Sequence, residues 1–228
     1  MMKIRNRLFG LALCLCAVVC AMGMSASATD PAHSSHPICG AEHQDIGDHT
    51  GTCGDVTWTE WDGTSAISYD TNNIAYVYLT DSVTLSSALN VQDGYTLYLC
   101  LNGKTITKST VTSSAFDGAI SIRDGGNLTL CDCKGGGTIT HAANMTGRGI
   151  RVGNGAGGTP TFTMYGGKIS GNHTNGLKGA GVESQGGTFN MYGGEISDNH
   201  VEAAANLSGG GVHSYSSGRF IMYGGTIN

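Results

Sequence analysis

Proline is nearly missing from this chain, with three in 228 residues. That excludes a collagen-like chain and a Pro-rich linker. Charged residues make up only 13%, and the helix formers Lys, Glu, Gln and Arg are rare, so nothing points to amphipathic helices. No pair of cysteines has the CxxC spacing of a zinc ribbon or a redox motif. What is abundant is glycine, 37 residues, about twice average usage. Thr, Val, Ile and Tyr accompany it. The composition predicts an all-β chain with many tight turns.

The first 28 residues read as a secretory signal peptide. "MMKIRNR" supplies three positive charges, "LFGLALCLCAVVCAMGM" an apolar run of 17 residues, and Ala26-Ser27-Ala28 an A-x-A cleavage site. The run is short for a membrane anchor, and Val19 before Cys20 disfavours a lipoprotein. All 17 acidic residues follow this segment but only 9 of the 12 basic ones do, so the mature net charge is 9 − 17 = −8. Such a chain attracts neither nucleic acid nor anionic membrane. Five cysteines remain after cleavage, Cys39, Cys53, Cys100, Cys131 and Cys133. The number is odd, and the pairing stays open.

Internal repetition organises the rest. "FTMYGGKISGNH" begins at Phe162, "FNMYGGEISDNH" at Phe189 and "FIMYGGTIN" at Phe220, with separations of 27 and 31 residues. Gly-rich approaches lead to Val182 and Val212. Fainter copies place Ile120, Leu128, Leu130 and Ile139 in the same order, with an insertion at Cys131–Lys134, and "LYLCLNGKTIT" contributes Leu99, Leu101 and Ile106. Units this small bury their apolar faces only by stacking. We therefore expect a solenoid of about five coils with four interior rows. These are Phe162/Phe189/Phe220, Met164/Met191/Met222, Ile169/Ile196/Ile227 and Ile150/Val182/Val212. The Gly-Gly pairs 166–167, 193–194 and 224–225 become corners. Asn172 and Asn199 form an amide ladder, with His173 and His200 beside it. Tyr165, Tyr192 and Tyr223 point outward and stack.

These units, with their F-x-M-x-G-G-x-I-S-x-N pattern, resemble right-handed parallel β-helix repeat proteins. More narrowly they are similar to adhesin-like secreted or cell-wall proteins of Gram-positive gut bacteria, with a looser likeness to polymorphic outer-membrane proteins. "HSSHPICGAEHQDIGDHTGTCGDVTWTEW" matches the His/Cys-rich and Trp-containing stretch that precedes the repeats there. The resemblance implies division into a signal peptide (1–28), an irregular His/Cys-rich leader (29–57), an N-terminal cap with the first coil (58–110) and β-helix repeats (111–228). Its members run through further coils, so a chain that stops mid-unit at Asn228 reads as a fragment. The implied role is a secreted or surface-exposed, non-enzymatic protein that binds glycan or a host or microbial surface protein. It has no nucleic-acid partner and no membrane insertion after signal cleavage. The alternatives are a fragment of a polysaccharide lyase or glycosidase of the same architecture, or a structural stalk.

Few side chains suggest chemistry. His33, His36, Cys39, His43, His49 and Cys53 are zinc-type ligands at irregular spacing. The plainer expectation is a solvated leader with a Cys39–Cys53 disulfide, and zinc binding stays open. Trp58 and Trp61 fit a cover over the open end of a core better than a sugar-stacking platform. Aligning the repeats puts Arg151, Glu183 and His213 in one outward column and Lys168 with Glu195 in another, expected as exposed charge ladders. A glycosidase needs two carboxylates about 5–9.5 Å apart, and no coil carries an acidic cluster. No catalytic, cofactor-binding or metal residue is assigned on this reading, and no cofactor is expected.

Overall fold

The computed structural model describes residues 35–39, 55–111, 118–154, 157–175, 178–202 and 209–228, all within the compact unit His33–Asn228. The expected signal peptide lies outside the described residues, as do His33, His43, His49 and Cys53 of the leader. Among the described residues every regular element is a β-strand, as the composition predicts.

Three parallel sheets form the faces of a β-solenoid. The first holds seven strands: Thr59–Trp61, Ile74–Leu79, Thr96–Cys100, Asn127–Cys131, Thr161–Met164, Thr188–Met191 and Arg219–Met222. The second holds six, from Val83–Leu85 to Thr226–Ile227, and the third five, from Leu89–Val91 to Val212–Tyr215. The chain crosses the faces in turn and returns one strand further along. Five crossings of the third face leave about four full turns between the first and the last. A two-stranded parallel extension, His173–Asn175 with His200–Glu202, follows the second face in two successive coils. The repeat alignment does not predict it.

Alternation explains why these segments pair as they do. In Thr161–Met164 the burial alternates, with Phe162 and Met164 inside and the two threonines half-exposed. All four expected rows are in register. Phe162 pairs with Phe189 and Phe189 with Phe220, while Met164, Met191 and Met222 follow two residues on, although Met222, on the last strand of the face, is exposed rather than interior. Ile169, Ile196 and Ile227 form the third row, and Ile150, Val182 and Val212 the fourth. The phenyl rings stack at 4.8 and 4.9 Å, the spacing of neighbouring strands. Burying each such side chain contributes about 1.5–3 kcal/mol.

One upstream assignment is corrected. Leu97 and Leu99 occupy the Phe and Met rows, as partners of Leu128 and Leu130. Leu101 is buried one step further, past the end of the strand. The Gly-Gly corners are as expected. Gly167, Gly194 and Gly225 have φ of 85°, 85° and 89°, a region that favours glycine. A Cβ on Gly193 would collide with the carbonyl oxygen of Tyr165.

The amide ladder also forms. Asn172 Nδ2 donates to Asn199 Oδ1 at 3.0 Å, and Asn199 Nδ2 donates to the Ile169 carbonyl at 2.8 Å. His141 occupies the preceding rung, its Nδ1 bonded to Asn172 Oδ1 at 2.9 Å. Each amide thus satisfies backbone groups at a buried turn, where an unpaired one would be costly.

Candidate functional site

Outward positions on the first face form a second set of rows. Tyr78, Cys100 and Cys131 are partners on successive strands. Tyr165 follows in the same row, because its N–H donates to the Leu130 carbonyl at 2.9 Å, one residue before Cys131. Tyr192 and Tyr223 continue it. The three tyrosine rings stack at 5.0 and 4.6 Å and are half-buried. Because neighbouring rings cover one another's faces, the column presents mainly ring edges. That makes a narrow amphipathic strip along the solenoid axis, polar at the hydroxyls and apolar between them. The expected outward stack is therefore present.

The column of Arg151, Glu183 and His213 is in register as aligned, but it is not exposed. Arg151 is 1% and Glu183 2% exposed. Segment 178–179 lies over this part of the third face: the Lys178 carbonyl accepts a bond from Arg148 Nε at 2.9 Å, and Gly179 lies beside Glu183 and His213. Both Arg148 and Arg151 contact Glu183 Oε2, while His213 Nδ1 stands 3.9 Å from Oε1. Burial pushes the Glu183 carboxyl above its ordinary value, with the two arginines opposing. Burial, reinforced by Lys178 and the arginines, pushes the His213 imidazole down. Glu183 is thus enclosed between two buried guanidiniums under this cover, the arrangement of a structural ion cluster. Lys168 and Glu195, by contrast, form the partly exposed pair expected, at 3.0 Å.

Neither tryptophan is a sugar platform, since Trp58 is 4% and Trp61 5% exposed. Trp61 packs into the main core. Trp58 packs outside it with Tyr78, Cys100 and Cys131. A cleft of about 650 Å³ near Trp61 is bordered by Glu60, Asp62, Tyr69 and Asp70. Its carboxylates are occupied. Glu60 accepts the Tyr78 hydroxyl at 2.9 Å, and Asp70 accepts the Asn72 and Ile74 amides, both at 2.8 Å. Asp62 accepts the Ser65 and Thr64 amides, which hold it well below the usual carboxylate range.

Among the described residues one set of metal-type donors converges: His36, Cys100 and Cys131. The neighbouring Cys131 and Cys133 side chains hold the Cys100 thiol below its ordinary value. Burial first, and then Cys100, push Cys131 up. The spacing analysis of the leader missed this set because it sought all the ligands in one segment. A signal was present, however: Cys100 and Cys131 are 31 residues apart, the same interval that separates Phe189 from Phe220.

The fold and its outer rows define a parallel β-solenoid with a stacked-tyrosine column. The chain matches no family model, no curated protein and no solved structure.

Proposed function

We propose that the chain is a secreted or cell-surface β-solenoid of the adhesion or interaction type, which binds glycan or protein along its outer face and performs no catalysis. The observation that carries this reading is the continuous half-buried stack of Tyr165, Tyr192 and Tyr223 on an outer face. A row of tyrosine edges offers contact area and hydroxyls with little conformational entropy to lose on binding. The N-terminal charge, apolar run and cleavage site support export, and the repeat pattern resembles adhesin-like proteins. Against an enzyme stands the use made of the ionisable groups. Glu183 is locked between arginines, and Asp62 and Asp70 cap turns.

The experiment is an array of host and microbial glycans probed with the mature chain, with each retained glycan then incubated with the protein and assayed for new reducing ends. Retention without cleavage supports the reading. Release of reducing ends or unsaturated products contradicts it in favour of a hydrolase or lyase.

A further inference from the structure

The outward row on the first face changes character along its length. Three tyrosines follow Cys131, but Cys100 and Cys131 themselves are completely buried thiols paired across adjacent strands. The donor atoms of His36, Cys100 and Cys131 lie within 4.8 Å of one another. Cys133 Sγ lies 3.5 Å from Cys100 Sγ, beside this set of three and near Asn102 Oδ1 at 3.9 Å. The imidazole belongs to a strand far away in sequence.

Its position is held from several sides. Ser35–Pro37 pairs antiparallel with Asp55–Thr57, setting His36 opposite Val56. The His36 ring stacks on Trp58 at 4.4 Å, and Trp58 Nε1 donates to the His36 carbonyl at 2.9 Å. His36 Nδ1 is 2.6 Å from the Pro37 carbonyl. A carbonyl only accepts, so Nδ1 carries the hydrogen and the lone pair resides on Nε2. A backbone acceptor on one ring nitrogen fixes the tautomer in the way that metal-bound histidines require of the other. Trp58, Tyr78, Tyr76 and Tyr165 give the sulfurs an apolar wall.

We propose that His36, Cys100, Cys131 and Cys133 form a structural zinc site that fastens the leader strand onto the first face of the solenoid. Three thiolates and one imidazole are the soft-to-borderline donor set that selects tetrahedral zinc over calcium or magnesium. Zinc–sulfur bonds of about 2.3 Å in a tetrahedron put the sulfurs about 3.7 Å apart, close to the observed Cys100–Cys133 separation of 3.5 Å. With Cys133 turned in as the fourth ligand beside the three converging donors no position stays open, so the role is to hold structure. The site ties a segment that has no place in the repeat to two successive coils at once.

The test uses the mature chain purified under reducing conditions. Metal content after zinc loading and desalting is expected at about one zinc per chain, and the melting temperature should rise with zinc concentration, as for any ligand of the native state. Cobalt(II) in place of zinc should give the intense visible bands of a tetrahedral thiolate complex with a sulfur-to-cobalt charge-transfer band. Cys100→Ser and Cys131→Ser should abolish those bands. His36→Ala should weaken cobalt binding at least tenfold while leaving the strand signal in circular dichroism, because His36 lies outside the coils. Absence of cobalt bands in the reduced wild-type chain overturns the proposal. So does a Cys100–Cys133 disulfide found by mass spectrometry in the protein as secreted. Both readouts are independent of glycan binding.

Discussion

Asn172 and Asn199 occupy equivalent turns one coil apart, and the side-chain amide of the first donates to the side-chain oxygen of the second at 3.0 Å. The same Nδ2 lies 3.3 Å from the Ile139 carbonyl and 3.2 Å from that of Ser170. One residue therefore serves three consecutive coils. Asn172→Ala removes the donor and strands buried carbonyls, a loss of about 1–3 kcal/mol. A chain of this size should then melt about 2–4 °C lower for each kcal/mol lost. Thermal melting followed by circular dichroism checks this, and an unchanged midpoint would mean that water replaces the amide.

Glu183 stands between Arg148 and Arg151, and all three are buried. Glu183→Gln keeps the shape but leaves two guanidiniums without a counter-charge, at a cost of about 3–5 kcal/mol. Urea unfolding of the variant should show a lower midpoint at the same slope. Were the cluster an exposed ladder, the change would be within about 1 kcal/mol.

His141 gives the fold a dependence on acidity. Burial pushes its imidazole below the ordinary value of 6.5, Lys108 adds to that, and the Asn172 bond partly opposes it. The unfolded chain thus binds more protons than the folded one between the lowered value and 6.5, so stability rises with pH across that window and is lost as pH falls through it. His213 is shifted in the same direction, by burial first. Melting temperatures should be flat above about pH 7 and decline as pH falls through 6.5 toward the lowered histidine values. His141→Asn should flatten part of that decline. A decline identical in the variant would assign the effect elsewhere.

Phe189 lies between Phe162 and Phe220 in the core row. Phe189→Asp buries an unpaired charge there, and the expected outcome is loss of the cooperative melt. Phe189→Leu, which keeps an apolar side chain, should remain folded with a midpoint a few degrees lower. A normal melt for the aspartate variant would remove Phe189 from the interior.

The interior was legible because its signal is repetition combined with alternation, and both survive without knowledge of what lies outside. Where the signal was degenerate, the reading slipped. Leu97, Leu99 and Leu101 sit two apart, so a shift by two positions preserves the pattern, and only pairing with Leu128 decides the register. The outside was less legible. Alternation says that Glu183 points outward, but not that the segment at Lys178 and Gly179 covers it. His36 meets Cys100 only through the pairing of Ser35–Pro37 with Asp55–Thr57 and the placement of Trp58, contacts that no repeat encodes. The two-stranded extension at His173 and His200 belongs to the same class.

Tyr165, Tyr192 and Tyr223 form the proposed contact surface. Tyr192→Ala and Tyr223→Ala leave the Phe, Met and Ile rows intact and should fold with little change in melting temperature. Titration of the wild-type and variant chains against the glycans retained on the array measures the claim directly. We predict at least a tenfold loss of affinity for the double variant, about 1.4 kcal/mol or more, with the melt preserved. Undiminished binding by a folded double variant would contradict it.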